Sequence, residues 1–490
     1  MNLMIVDDHL LIRAGMKLLL KNTSAYTVTA EAESGEEALR LLAAQPIDLV
    51  IMDISMPGMG GLACIREIRA HYPAVKILVL SMHEDEEYIY KAMQYGAMGY
   101  LPKTSADNEL FDALDQPAKD SDCVIYLHVP FCDNICSFCS MMRSKLGDEL
   151  DEYAKFLIRQ IKDYGEMPYF DAKKIKSIYF GGGTPSVFSE THFEKVLGAL
   201  NKNFKIAEDC EISVETTLHN LDLQKALALQ SFGVNRFSIG VQTFSRQGRA
   251  LLNRVHKPAR AIERLKDFRE KFDGMLCCDI IYNFPGESVE EALEDAHYVD
   301  ELGLDSASFY SLMFFEGSEL SKKIDTSYYD LPTDKKLHHA FAGALLVGSD
   351  NFEVLELTKL ARKGRDNYGY IKLSHKGTDI LPIGNGAGGH VAGFGIYGVS
   401  GHKMISRIDE REAKYSVLSN LFQYPIVSLN ELKEALSANI YDEVLQKLKE
   451  FQSWGLLELK DEKSVLNLDG IFWGNNINEE IANIMKKDFV

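Results

Sequence analysis

The sequence predicts an α/β protein: a doubly wound five-stranded parallel sheet, then a partial, open barrel of six strand–helix units, then a small winged-helix-like domain. Three observations carry this. Short apolar runs alternate with amphipathic stretches through the first 116 residues and again from residue 123. The strand candidates read as near-continuous apolar runs, as in parallel sheets covered on both faces. At 490 residues the chain exceeds what one core supports.

In the first series, "LMIVDD", "YTVTAEAE", "DLVIMD", "KILVLS" and "GYLPK" are the strands, and "GEEALRLLAA" and "GLACIREIRAHY" are among the helices between them. In such sheets the chemistry sits beyond the carboxyl ends of the strands. The polar residues there are Asp7, Asp8, Asp53, Ser81 and Lys103. Three converging carboxylates suit Mg²⁺, which takes oxygen ligands. Asp53 is a candidate nucleophile toward a phosphoryl group. The stretches "VDDH", "IMDISMPGMGG", "VLSMH" and "GYLPK" resemble the receiver domain of bacterial response regulators. The resemblance covers 1–116. It implies Asp53 as phosphoacceptor, Asp7 and Asp8 as further Mg²⁺ ligands, and Ser81, Tyr100 and Lys103 as switch residues. It also implies a sensor histidine kinase as phosphoryl source. A helix-turn-helix usually follows such a receiver. Here the linker 117–122 leads elsewhere.

In the second series the strands are "CVIYLHV", "KSIYFGGG", "CEISVETT", "VNRFSIGVQ", "MLCCDIIYNF" and "LDSASFYSLM". They place a barrel core at 123–330 with an extension over 331–414. Directly after the first strand, "FCDNICSFCS" sets Cys132, Cys136 and Cys139 in one loop. Structural zinc would want a fourth Cys or His nearby, and core thiols rarely cluster in a polar loop. A [4Fe–4S] cluster with three thiolates and one open iron accommodates the set. The other cysteines, among them Cys277 and Cys278, read as small buried hydrophobes.

The C-x3-C-x2-C spacing with Phe138 before the last cysteine resembles the radical S-adenosylmethionine (SAM) superfamily. That resemblance implies a 4Fe–4S cluster whose fourth ligand is SAM. It points to Gly182, Gly183 and Thr184 in "FGGGTPS", and to Glu215, Gln242 and Arg254, as SAM contacts. Asp279 is read for the ribose hydroxyls, and Tyr126 beside the sulfonium.

Over about 280 residues the pattern is similar to the coproporphyrinogen-dehydrogenase-like branch. The dehydrogenase carries a further cysteine where Met141 stands. The haem chaperone of the branch carries a His-Asn pair where "RDNYGYIKLS" has Asp366. "FYSLM" followed by "EGS", and "PIGNGAGGHVAGFG", look most like the anaerobic haem-degrading radical SAM methyltransferases. The resemblance therefore implies an enzyme acting on haem or a related tetrapyrrole, by ring opening, methyl transfer and iron release. The chaperone and the dehydrogenase are the alternative readings. A reduced flavodoxin-type electron donor is implied as partner. The glycine-rich stretch 384–395 is read as a backbone able to lie against a macrocycle. His390 within it is a candidate substrate contact, with a solvent-facing loop histidine as the plainer reading.

The segment 415–490 reads as helix, helix and hairpin. From Leu429 onward it holds 7 Lys and no Arg against 12 Asp plus Glu. Such a balance opposes phosphate contact, as does the chain's net charge of −19, so no nucleic-acid partner is expected. No membrane-length apolar run and no signal-peptide pattern occurs, and the chain is read as cytoplasmic.

Overall fold

The computed structural model describes all residues except 1, 10–12, 14–26, 82–85, 103–109, 111, 119–121, 140–143, 146–148, 316–317, 325, 350, 400–401 and 490. The chain divides into two units, 1–113 with 390–407, and 114–389 with 408–490.

In the first unit, β1 (Asn2–Val6), β2 (Thr27–Ala32), β3 (Leu49–Met52), β4 (Lys76–Ser81) and β5 (Gly99–Pro102) form one parallel sheet in the order β2-β1-β3-β4-β5. The order reverses at β1, between β2 and β3, which is where such folds place their site. The helix Gly35–Ala44 is capped by the Ser34 hydroxyl, which accepts from the Glu37 N–H. Gly61 lets the helix Gly60–His71 start hard against β3: a Cβ there would lie 2.0 Å from the Asp53 carbonyl.

The second unit begins with β6 (Asp122–Val129), followed by the two-residue pair β7 (Phe131–Cys132) and β8 (Ser144–Lys145). Next come β9 (Lys174–Gly182), β10 (Ile206–Thr216), β11 (Arg236–Gln242), β12 (Met275–Tyr282) and β13 (Ser306–Ser311). β6, β9, β10, β11, β12 and β13 are parallel neighbours in that order, the six strands expected. Helices such as Leu150–Gly165, Glu190–Asn203 and Val289–Glu301 make the crossovers. β11 is buried at every position, as a strand covered on both faces must be.

The structure adds strands that the sequence pattern did not announce. β14 (Phe352–Glu356) and β15 (Lys359–Arg362) extend the sheet antiparallel beyond β13. At the other side β16 (Asp379–Ile383, "DILPI") pairs parallel to β6. A Pro in a five-residue run argues against a central strand, and this strand lies beyond the predicted barrel core. After it come β17 (Gly388–Val391) and the antiparallel pair β18 (Phe394–Val399) and β19 (His402–Arg407). Residues 390–407 group with the first unit, where Met404 joins the core containing Ile77 and Tyr100. The extension expected over 331–414 is therefore not one body.

In the C-terminal segment, β20 (Ile426–Ser428), β21 (Leu457–Lys460) and β22 (Lys463–Leu466) make an antiparallel sheet ordered β20-β22-β21. The helices Leu429–Ala435, Ala438–Ser453 and Gly474–Met485 bury Leu432, Val444, Leu448, Ile477 and Ile481 around it. Ser428 caps the first of these helices, accepting from the Glu431 N–H. No helix among the described residues is long and apolar enough to cross a membrane.

Candidate active site and phosphoacceptor site

In the first unit the ends of β1 and β3 bring Asp7, Asp8 and Asp53 together, with one carboxylate oxygen of each and a nitrogen of His9 all within 4.8 Å of one another. Asp7 and Asp53 are buried and His9 is exposed. Hard oxygen donors in this number fit Mg²⁺. His9 was not singled out in the sequence, although it directly follows the acidic pair. Ser81 is buried at the end of β4, and Tyr100 is buried on β5. Lys103 lies outside the described residues.

In the second unit the cysteine loop follows β6. Cys132 is buried, and Cys136 and Cys139 are half-buried. The Arg254 guanidinium donates to Cys136 Sγ at 2.9 Å and also to the Gly240 carbonyl. Cys132 Sγ lies 3.4 Å from Thr184 Oγ1. Asn253, at φ 55°, locks this arrangement: its Nδ2 donates to the Ile135 carbonyl at 2.9 Å, and Asn134 Nδ2 donates to the Asn253 carbonyl at 3.2 Å. Three sulfurs on one short loop, one of them beside a fixed cation, fit a cluster with three thiolate ligands. Arg254 is thus already engaged with Cys136.

Beside the loop, the carboxyl ends of β9 to β13 surround a cavity of about 300 Å³. Glu215, Gln242 and Asp279 line it, so three of the sequence-selected residues converge there. Glu215 accepts from the Tyr179 hydroxyl at 2.9 Å and the Gly182 N–H at 3.1 Å. Burial nevertheless pushes its carboxyl up to about 7. Gln242 reaches the cavity through a register shift in β11 and a positive φ of 72°, backbone strain of the kind found at functional sites.

Gly182, Gly183 and Thr184 pack closely against β6 and the cysteine loop. A Cβ on Gly182 would lie 2.7 Å from the His128 ring, and one on Gly183 would lie 2.7 Å from the Phe131 carbonyl. The Thr184 N–H donates to that same carbonyl. Tyr126 stacks on Tyr179, its hydroxyl 3.0 Å from His128 Nδ1. Burial lowers the His128 imidazole to about 4. The glycine-rich stretch also has close protein neighbours. A Cβ on Gly384 would meet the His128 carbonyl, and one on Gly386 the His128 ring, so these glycines press on β6. His390, half-buried on β17, lines neither this cavity nor its neighbour described below.

The sequence reading missed Tyr179, Ser238, Ser308, Tyr310 and Tyr368, all of which line the cavity. Alternation carries a signal for the strand residues, since Ser308 and Tyr310 share a strand face. Tyr368 carries no such signal. It sits in the left-handed region at φ 46°, its ring 4.8 Å from the Arg236 guanidinium and 4.5 Å from Lys359 Nζ. Asp366 fixes this turn. Fully buried, it pairs with Arg236 at 3.0 Å, accepts from Ser306 Oγ at 2.6 Å and from the Tyr368 N–H at 2.9 Å.

Two family models match the chain. The response regulator receiver domain family matches residues 3–115, and the radical SAM superfamily matches residues 126–299. The chain joins a receiver domain to a radical SAM domain. Across 394 residues it is 26% identical to anaerobilin synthase of Escherichia coli O157:H7, covering 76% of this chain and 87% of that protein. Over 273 residues it is 28% identical to the heme chaperone HemW of Escherichia coli K12, covering 54% of this chain and 70% of that protein. The solved structure of Escherichia coli coproporphyrinogen III oxidase (HemN) shares the fold, with a TM-score of 0.65 at 18% identity over 78% of this chain and 95% of that one. The receiver is 42% identical over 113 residues to the response regulator UvrY of Escherichia coli O6:H1, of which the chain spans 52%. The radical SAM domain is thus similar in sequence to HemW and shares its fold with HemN.

Proposed function

We propose that the radical SAM domain is an enzyme that opens haem, with methyl transfer and iron release, and that the receiver is a phosphoacceptor attached to it. The observation that carries the reading is Asp366. It stands where the haem chaperone's histidine is expected, and it is locked into a buried ion pair, so this position offers no imidazole to a metal. The similarity to anaerobilin synthase also runs through 394 residues, against 273 for the chaperone. In this reading Cys132, Cys136 and Cys139 would hold a [4Fe–4S] cluster, and Glu215, Gln242 and Asp279 would line the SAM side of the cavity. The cluster and SAM supply the radical chemistry when bound. The protein orients the ring, shields the cavity and sets the charge around it. Exposed Met313 and Phe315 beside Tyr310 give the mouth an apolar rim suited to a flat macrocycle.

The test is anaerobic. After cluster reconstitution, haem, SAM and a reductant are expected to yield a methylated linear tetrapyrrole with loss of haem absorbance. Haem recovered intact and merely bound would sink the enzyme reading and favour the chaperone.

Two further outcomes follow from the geometry. The raised Glu215 carboxyl ionises near pH 7, and the ionised form is the better acceptor for the SAM ammonium. Equilibrium SAM binding to the reconstituted protein should therefore tighten as pH rises from 6 to 8. In Glu215→Gln binding should be weaker by roughly tenfold and flat across that range. A wild-type profile without a step near pH 7 would remove this role. In the receiver, a small phosphoryl donor with Mg²⁺ should form an acyl phosphate, cleaved by base and by hydroxylamine, on the wild type and none on Asp53→Asn; equal labelling of both would relocate the acceptor.

A further inference from the structure

A second cavity, of about 260 Å³, adjoins the first in the radical SAM unit and shares Tyr310, Ser311 and Met313 with it. Its other walls come from the helix Leu331–Gly343 and from Ile471 to Asn476 of the C-terminal segment. Two polar side chains of that helix line it, Asp334 and His338. They stand four residues apart, on one helix face. Asp334 is 5% exposed and His338 is 4% exposed. Each has one atom without a hydrogen-bond partner, Asp334 Oδ1 and His338 Nδ1. The other Asp334 oxygen accepts from the Tyr329 hydroxyl at 3.0 Å.

The surroundings of His338 are aromatic, while Ser311, Thr358, Asn475 and Asn476 line other parts of the cavity. The His338 ring centroid lies 5.0 Å from that of Phe309, 5.2 Å from Phe472 and 6.0 Å from Tyr282. Burial lowers the His338 imidazole to about 3, so the ring is neutral near pH 7 and keeps one acceptor nitrogen. A buried polar atom left without a partner is costly, and two on one wall call for a ligand that satisfies both, one that brings donors when His338 takes the tautomer with Nδ1 unprotonated. The aromatic walls call for a flat conjugated one.

A closed iron porphyrin has no N–H to offer, because its four nitrogens bind the metal. Once the ring is opened and the iron has left, protons replace the metal, and N–H donors lie along a flat chain. We propose that this second cavity is a product-side subsite, in which Asp334 and His338 accept N–H groups of an opened, metal-free tetrapyrrole. The proposal rests on the ring-opening reading above and adds a place where the product differs from the substrate. The shared wall of Tyr310, Ser311 and Met313 lets one ligand span both cavities.

The probes are biliverdin, a linear tetrapyrrole with N–H groups, and haem, titrated by absorbance into the full-length, cluster-reconstituted chain. Biliverdin is expected to bind the wild type, and Asp334→Asn and His338→Phe are each expected to weaken it about tenfold. Haem affinity is expected to stay within about twofold in both variants, since haem presents no N–H to these acceptors. Unchanged biliverdin affinity in both variants, as when water alone satisfies the two atoms, would overturn the subsite. So would an equal loss for haem and biliverdin. Should Asp334→Asn fail to fold, His338→Phe, which keeps the aromatic packing, decides the matter alone. A wild type that binds haem but not biliverdin overturns the subsite and leaves the ring-opening reading standing; one that binds neither overturns both.

Discussion

Cys136→Ala should lose the absorbance of the reconstituted cluster and drop SAM cleavage to background, yet leave the apoprotein's thermal unfolding nearly unchanged. The side chain is half-buried and sits in a loop held by other groups: Asn134 and Asn253 bond across it, and Ser137 Oγ donates to the Leu251 carbonyl at 2.8 Å. Removing one sulfur from such a site should cost the apoprotein no more than about 0.5 kcal/mol. Arg254 loses its contact with Cys136 but keeps the Gly240 carbonyl. Loss of the cluster with retention of the fold is what separates a metal ligand from a packing thiol. Cys277 supplies the contrast: it is fully buried, and burial pushes its thiol up to about 12. Cys277→Ala should lower stability and still take up iron and sulfide. A Cys136→Ala protein that reconstitutes and cleaves SAM like the wild type would refute the three-thiolate site.

The largest loss of stability is expected for Asp366→Ala. It strands Arg236, which is fully buried at the start of β11, and an uncompensated buried charge costs about 3–5 kcal/mol. Burial by itself would raise the Asp366 carboxyl, but Arg236 and Lys359 outweigh it and hold the group well below the usual carboxylate range. The sign follows from linkage. A carboxyl with a depressed folded-state pKa gives stability that is present above its unfolded value, and loses it only as pH falls through the folded value. The gap between wild type and Asp366→Ala should thus persist from pH 8 down to pH 4 in denaturant titrations. A loss below about 1 kcal/mol would show that solvent reaches the pair. The same substitution frees the turn bearing Tyr368, so SAM-dependent turnover should fall with it.

What the sequence made legible was local. The five strands of the receiver, the six parallel strands of the barrel and the convergence of Glu215, Gln242 and Asp279 all follow from apolar runs and from where those runs end. The parts that escaped are decided by distant pairing or by backbone. β16 is a short run broken by a proline, and it becomes a strand because β6 offers it a free edge. Tyr368 reaches the cavity because Asp366, sixty residues beyond Ser306 in sequence, anchors its turn. At Gly182, Gly183 and Gly384 the sequence shows the glycine but not its neighbour, because a glycine that admits a nearby protein atom reads the same as one that admits a cofactor.

The pairing of β16 with β6 also sets an order of events in the making of the protein. The strand that leads into the cysteine loop is complete by Val129, yet its second neighbour is not synthesised until Ile383. During that interval β6 presents an unpaired edge, and edges of this kind recruit other strands. A chain stopped before Asp379 should therefore aggregate even though it contains every cysteine and every SAM-side residue. Completion of the sheet around the cysteine loop, in this architecture, awaits a segment that adds no cysteine to it.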